Sequence, residues 1–84
     1  MKLVYFSWIR EHLGMAEEDI TPPEHVSTVG DLLDWLGSRS ESFENVLEHD
    51  KVIRVAVDRV HVDDRGAPIA GAKEIALFPP MTGG

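Results

Sequence analysis

Residues 28–37 read TVGDLLDWLG, and their pattern is that of an amphipathic helix. Thr28 is a candidate N-cap, and Asp31 stands three residues later, in the first turn, where a carboxylate is favourable. The apolar residues that recur at i, i+3, i+4 and i+7 on one face are Val29, Leu32, Leu33 and Leu36. Gly37 supplies a C-terminal stop, and Trp35 lies off the apolar stripe. The stretch predicts a helix that buries one face and leaves Trp35 partly exposed.

Before this helix, the sequence predicts two strands separated by a short helical turn. Lys2–Phe6 is apolar at nearly every position, which is typical of a central strand buried on both faces. Ser7 is the predicted cap of the helical turn, and Gly14 is its stop. Ala16–Thr21 is a weaker strand candidate because it carries three acidic residues, and two prolines end it.

After the helix, a second short helical piece around Phe43 is predicted, with Ser40 or Ser42 as its cap. Val52–Val57 is an apolar, β-branched run that indicates a strand. The pair Asp58-Arg59 could turn this strand into Val60–Val62. Glu74–Phe78 is the predicted last strand, and the two prolines that follow end it because proline cannot donate to a sheet ladder.

This order of elements predicts an α+β fold, with a mixed sheet of four to five strands and one main helix packed across it. A crossover between parallel strands needs a dozen or more residues, and the segment 28–47 is long enough. If the first and last strands are neighbours at the sheet centre, the C-terminus leaves the sheet as a free tail. With 84 residues, we expect one domain over residues 1–84, in which residues 78–84 form an extended tail.

Composition excludes several classes of function. The chain has no cysteine, so it offers no disulfide, thiolate metal site or cysteine nucleophile, and its four histidines lack metal-ligand spacing. A formal charge of −7 argues against nucleic-acid binding. No apolar run approaches the roughly 18 residues of a membrane span, and the run Lys2–Phe6 is too short for a signal peptide. We therefore expect a cytoplasmic protein without a bound metal.

Residues 78–84 read FPPMTGG and carry the strongest functional signal. Pro79 and Pro80 hold a chain extended, so less entropy is lost when it docks. Gly83 and Gly84 have no Cβ, which suits a narrow channel and lets a reactive centre approach the terminal carbonyl. The alternative interpretation is a frayed end, since a Gly-Gly pair alone is weak evidence.

The sequence resembles the small subunit of molybdopterin synthase, the MoaD-type sulfur carriers of the ubiquitin-like β-grasp fold. The resemblance rests on the first strand, on Arg10-Glu11 with a glycine shortly after, on the Thr28-Val29 helix start, and on residues 78–84. It covers the whole chain in length and element order, and the tail is its most specific part.

The resemblance implies that a partner adenylating enzyme uses ATP to activate the Gly84 carboxylate and that a sulfur donor protein then supplies sulfur. The resulting thiocarboxylate would donate sulfur to cyclic pyranopterin monophosphate inside the large synthase subunit, which carries the catalytic lysines. The chain itself would bind no cofactor and would be a co-substrate in a heterotetramer. The residues implied to insert into the partner are Phe78, Pro79, Pro80, Met81, Thr82 and Gly83.

The resemblance also implies a docking surface that includes Phe6, Arg10 and His61. Core packing is the alternative for Phe6 and Phe78, and a surface salt bridge is the alternative for Arg10. His61 departs from the aliphatic residue usual at its position. Two other functions stay open: delivery of sulfur to thiazole synthesis or tRNA thiolation, and a non-covalent interaction module whose tail is never activated. A stand-alone enzyme is disfavoured because no nucleophile–base pair or phosphate-binding glycine loop is visible.

Overall fold

The computed structural model describes residues 1–48 and 53–80. Within these ranges the elements are β1 (Lys2–Tyr5), α1 (Ser7–Leu13), β2 (Glu17–Asp19), α2 (Val29–Arg39), α3 (Glu41–Leu47), β3 (Arg54–Val57), β4 (Val60–Val62) and β5 (Glu74–Phe78). The five strands form one mixed sheet in the order β2-β1-β5-β3-β4. This is the predicted α+β, β-grasp arrangement. Val52 and the tail residues Met81–Gly84, to which we assigned roles above, lie outside the described residues.

The first and last strands are neighbours at the centre of the sheet, which is the condition stated above for the chain to leave the sheet there. β1 and β5 run parallel, with Tyr5 opposite Leu77. On its other edge β5 pairs antiparallel with β3, with Val55 opposite Leu77. β5 is therefore hydrogen-bonded on both sides, and the chain leaves the sheet from its middle.

Helix α2 begins as predicted, with a capping box. The Thr28 Oγ1 accepts a hydrogen bond from the Asp31 amide (3.1 Å), and the Asp31 Oδ2 accepts one from the Thr28 amide (3.3 Å). These bonds satisfy amides that the first helical turn leaves without partners. All four predicted stripe residues are buried, and Trp35 is half-buried. Ser40, rather than Ser42, caps α3 and accepts from the Phe43 amide (3.0 Å).

The prediction that Gly37 ends α2 is wrong. The helix continues to Arg39, and Ser40 is its C-cap. A Cβ at Gly37 would lie 2.9 Å from the Leu47 Cδ1. A side chain at this position would require the Leu47 side chain of α3 to shift, so Gly37 lies at a close contact between the two helices rather than at the end of α2.

Two predictions around α1 and β2 also need correction. Ser7 is not the N-cap of α1: it is the first helical residue, with φ of 57°, and Phe6 takes the N-cap position without a side-chain hydrogen bond. Gly14 ends α1 in the left-handed conformation, as expected. β2 is limited to Glu17–Asp19, and Ile20, the next residue, buries its side chain in the core.

β1 is not buried on both faces. Its residues alternate, with Leu3 and Tyr5 buried and Lys2 and Val4 half-exposed. The helices cover one face of the sheet only, so the apolar residues of the other face are not core. The core joins the covered face of the sheet to the helices and contains Leu3, Tyr5, Ile9, Ile20, Val26, Val29, Leu32, Leu33, Leu36, Phe43, Val46, Ile53, Val55, Ile69, Ile75 and Leu77. Among the helices in the described part of the chain, none combines the length and apolarity that a membrane crossing requires.

Candidate functional site

The last described residues leave the sheet beside the end of β1. The Phe6 amide donates a hydrogen bond to the Leu77 carbonyl oxygen (3.1 Å), which extends the β1–β5 ladder past the end of β1. Because parallel strands end at the same edge of a sheet, Phe78, Pro79 and Pro80 emerge next to Phe6 and the start of α1. Both prolines are half-exposed and have no amide hydrogen to continue the ladder. The fold therefore directs the chain out of the sheet at a defined point.

The uncovered side of the sheet carries an apolar patch next to this exit. In register, Val4 lies opposite Ala76, Ala76 opposite Ala56, and Ala56 opposite His61. Phe6 and Phe78 continue the same side beyond Val4 and Ala76, since side chains alternate along a strand. We call this patch the open sheet face; its side chains are Val4, Phe6, Ala56, His61, Ala76 and Phe78.

The exposure of Phe6 and Phe78 excludes core packing, the alternative considered above for these two side chains. Phe6 is 46% exposed and Phe78 is half-exposed, so neither belongs to the core. The His61 ring lies 5.9 Å from the Phe78 ring, at an interplanar angle of 59°. His61 thus adjoins the patch through Phe78 even though it is not aliphatic. An uncovered cluster of aromatic and small apolar side chains, with Phe6 as its exposed member, is suited to protein binding.

Ion pairs surround the open sheet face. Lys2 Nζ lies 3.3 Å from Glu17 Oε2, and His61 Nε2 lies 3.3 Å from Asp63 Oδ1. All four of these side chains are well exposed. Exposed pairs contribute about 0–1 kcal/mol, so a docking partner can rearrange them at little cost. The arrangement is a polar rim around an apolar centre, as in protein interfaces.

Arg10 is exposed on α1, the helix that starts at the tail exit. The salt-bridge alternative is not observed, because Arg10 makes no ion pair with any acid in residues 1–48 or 53–80. The structure therefore brings Phe6, His61 and Phe78 onto one face and leaves Arg10 on the neighbouring helix.

Asp58 has a role that the sequence analysis missed. Asp58 and Arg59 have positive φ angles of 47° and 71° in the β3–β4 turn. The Asp58 Oδ1 accepts hydrogen bonds from the amides of Lys73 (2.8 Å) and Glu74 (2.9 Å). This carboxylate joins the turn to the start of β5. The sequence around Asp58 predicts the turn. It does not predict the two hydrogen bonds, because the amides of Lys73 and Glu74 lie 15 and 16 residues away in the chain.

Two groups with shifted pKa values lie away from the open sheet face. Burial, reinforced by the charge of Glu18, raises the pKa of Tyr5, whose hydroxyl donates to Glu18 Oε1 (3.2 Å). The Ser27 amide, together with the Ser27 hydroxyl and Thr28, lowers the pKa of Asp31. The Tyr5 shift arises chiefly from burial and the Asp31 shift from hydrogen bonds at the start of α2, so neither involves the open sheet face. The site described here is a binding surface beside a directed chain exit.

Comparison with known proteins supports this description. Among curated proteins none matches. Among solved structures, SAMP1 from Haloferax volcanii is 28% identical with a TM-score of 0.77, over 100% of this chain and 98% of that chain. A putative molybdopterin converting factor, subunit 1, from Pyrococcus furiosus is 27% identical with a TM-score of 0.72, over 95% of each chain. A further Haloferax volcanii protein solved in solution is 25% identical with a TM-score of 0.71, over 99% of this chain and 84% of that one.

A protein-family model also matches the sequence, and its match runs from residue 3 to residue 84. It spans the sheet, the helices and the Gly-Gly end together. Small ubiquitin-like sulfur carriers, the group that this family model describes, work with partner enzymes and are generally not catalytic themselves. The chain belongs to the ThiS family, whose members have the fold of ubiquitin-like sulfur carriers.

Proposed function

We propose that this chain is the sulfur carrier of molybdopterin synthase, in molybdenum cofactor biosynthesis. The observation that carries the proposal is the central β1–β5 pair, which directs residues 78–80 out of the sheet beside the open sheet face. The sequence FPPMTGG at residues 78–84 and the likeness to a putative molybdopterin converting factor subunit support the same assignment.

The proposed chemistry takes place at the Gly84 carboxylate. A carboxylate is a poor electrophile because its oxygen is a poor leaving group. In the activating enzyme a carboxylate oxygen attacks the α-phosphorus of ATP, and pyrophosphate leaves. Hydrosulfide (HS⁻) delivered by the sulfur donor protein then attacks the acyl carbon and displaces AMP, leaving a thiocarboxylate. ATP is used by the activating partner, and the chain itself holds no cofactor.

The thiocarboxylate then acts as a soft sulfur nucleophile toward cyclic pyranopterin monophosphate inside the large subunit. Residues 78–83 insert into that subunit, and the chain returns to the carboxylate when water supplies the missing oxygen. Two sulfur atoms are needed for each dithiolene, so two carriers act for each product in a cytoplasmic heterotetramer. The large subunit supplies the catalytic residues.

In this proposal the docking surface consists of the open sheet face and Arg10. Phe6, 46% exposed, is the apolar anchor nearest the tail exit. Arg10 is a cation with no acidic partner in the described chain, so it is available to a carboxylate of a partner. His61 closes the far side of the surface beside Phe78.

Intact mass spectrometry tests the carrier chemistry. After incubation with ATP, the activating enzyme and a sulfide source, we expect a gain of about 16 Da at Gly84, the exchange of one oxygen for one sulfur. Deleting Gly83 and Gly84 should abolish the gain. Val60→Ala, which alters an exposed residue on the other side of the sheet, should retain it. No gain in the intact chain, with an enzyme active on another carrier, would contradict the proposal and favour a non-covalent interaction module.

The family match favours a second candidate, a carrier that delivers sulfur to thiazole synthesis or tRNA thiolation. Both candidates share the thiocarboxylate, so the mass gain does not separate them. Complementation does: under our proposal, deletion of the gene abolishes molybdoenzyme activity and this chain restores it. Normal molybdoenzyme activity in the deletion strain would instead support the second candidate.

A further inference from the structure

Of the six side chains that define the open sheet face, His61 alone can change its charge between pH 5 and 8. The other five are Val4, Phe6, Ala56, Ala76 and Phe78. His61 is exposed, so its imidazole is in contact with solvent in the free chain. The surface proposed for docking therefore contains one side chain that can be either neutral or positively charged.

The packing of His61 favours a neutral ring in a docked complex. Its ring lies 5.9 Å from that of Phe78, and its strand pairs it with Ala56. Ala56 is only 9% exposed although no helix covers this face, so neighbouring side chains on the sheet shield it. A partner that covers this patch must remove water from His61 as well. Removing water from a neutral imidazole costs much less than removing it from an imidazolium.

The charges around His61 do not offset that cost. Just after β4, Asp63 Oδ1 lies 3.3 Å from His61 Nε2, but the Asp63 side chain is 90% exposed. On the adjacent strand β3, Arg54 is on the same side of the sheet, opposite Phe78. Because the Asp63 side chain is largely exposed to water, its carboxylate stabilises the imidazolium only weakly.

The remaining charged groups on this side lie toward the β3–β4 turn and the start of β5, except for the Lys2–Glu17 pair, which lies across the sheet on β1 and β2. Arg59 Nε lies 4.0 Å from Glu74 Oε2, and the Asp58 carboxylate is held by two backbone amides. These acids are already engaged. They leave Asp63, whose Oδ1 lies 3.3 Å from His61 Nε2, as the acid beside His61 that would favour its protonation.

We propose that His61 makes docking on the open sheet face depend on its own protonation state. The neutral imidazole is the docking-competent form, and protonation weakens binding. The inference rests on the proposed function, which supplies the activating enzyme as the docking partner. It implies that the enzyme presents an apolar surface without a carboxylate to His61.

The test is isothermal titration calorimetry of the full chain with the activating enzyme from pH 5.5 to 8.0. The wild-type affinity should fall on the acid side, with a limit of about tenfold per pH unit for one linked proton. His61→Leu should bind at every pH with a flatter profile. His61→Lys, which places a permanent cation at the position, should bind weakly at every pH.

Two further variants complete the design. His25→Leu changes an exposed histidine in the loop before α2 and should keep the wild-type profile. Asp63→Asn removes the adjacent carboxylate and should retain the acid-side loss of affinity, because that loss comes from the His61 imidazole itself. Titration of the enzyme's own groups is common to all variants, so differences between variants report on this chain.

An acid-side loss in His61→Leu equal to that of the wild type would overturn the inference and leave the proposed function intact. Failure of the wild type to bind at any pH, in a preparation that binds another carrier, would overturn the proposed partner and the inference together.

Discussion

The Phe6 amide donates a hydrogen bond to the Leu77 carbonyl oxygen (3.1 Å), so the end of β1 is joined to the end of β5. The bond holds an exposed phenylalanine at the point where the chain leaves the sheet. The sequence alone allowed Phe6 to lie either in the core or on the surface. Because the bond keeps Phe6 in the strand pairing, its side chain alternates with the buried Tyr5 and lies on the opposite, uncovered side of the sheet.

Phe6→Ala should weaken binding to the activating enzyme at least tenfold with little loss of stability. Truncation of an aromatic anchor at the centre of an interface costs about 2 kcal/mol or more of binding free energy. The free chain loses little stability, because a side chain that is 46% exposed makes few packing contacts. Calorimetric titration and urea unfolding measure the two effects. Val60→Ala is the matched control, because Val60 is 65% exposed on the other side of the sheet. An equal loss of affinity in both variants would refute the assignment of the docking face.

Asp58→Ala should destabilise the fold by about 1–3 kcal/mol, because the amides of Lys73 and Glu74 both lose their acceptor. Asp58→Asn keeps a side-chain oxygen at the same place and tolerates a positive φ angle, so it should retain most of the stability. Urea unfolding of the two variants gives the comparison. If both variants lose stability equally, the charge of Asp58, rather than its position as an acceptor, is what matters.

Asp31 should make stability fall in acid. Its folded-state pKa is lowered, chiefly by the Ser27 amide, so its stabilising contribution is present above the unfolded-state pKa and is lost as the pH falls through the folded-state pKa. Asp31→Asn should flatten the acid limb of a plot of unfolding free energy against pH. Glu24→Gln, in the exposed loop before α2, is the control and should leave that limb unchanged. An unchanged limb in Asp31→Asn would exclude this linkage.

Tyr5 should make stability fall in alkali. Burial raises its pKa, so its contribution is fully present below the unfolded-state value of about 10 and is lost as the pH rises above it. Tyr5→Phe should flatten the alkaline limb. The chain contains a single tyrosine, so its phenolate absorbance reports on Tyr5 alone. A normal phenol titration in the folded chain would contradict the raised pKa.

Local signals predicted the elements whose causes are local. The capping box joins Thr28 to Asp31, three residues apart, and both hydrogen bonds form. Gly14 ends α1 because its left-handed conformation suits glycine. Gly37 misled the same reasoning, because its neighbour Leu47 is ten residues away in the chain and belongs to another helix.

The sequence by itself determined the helix stripe, the order of strands and helices, and the Gly-Gly end with its resemblance to sulfur carriers. These depend on residue type and short spacing, which the chain carries however it folds. Tertiary structure alone decided that Val4, Phe6, His61, Ala76 and Phe78 share one uncovered face. Strand register joins positions up to 72 residues apart, such as Val4 and Ala76, and burial of a strand face depends on whether a helix packs over it. A run such as Lys2–Phe6 is therefore apolar for two separate reasons, the core on one side and the docking surface on the other.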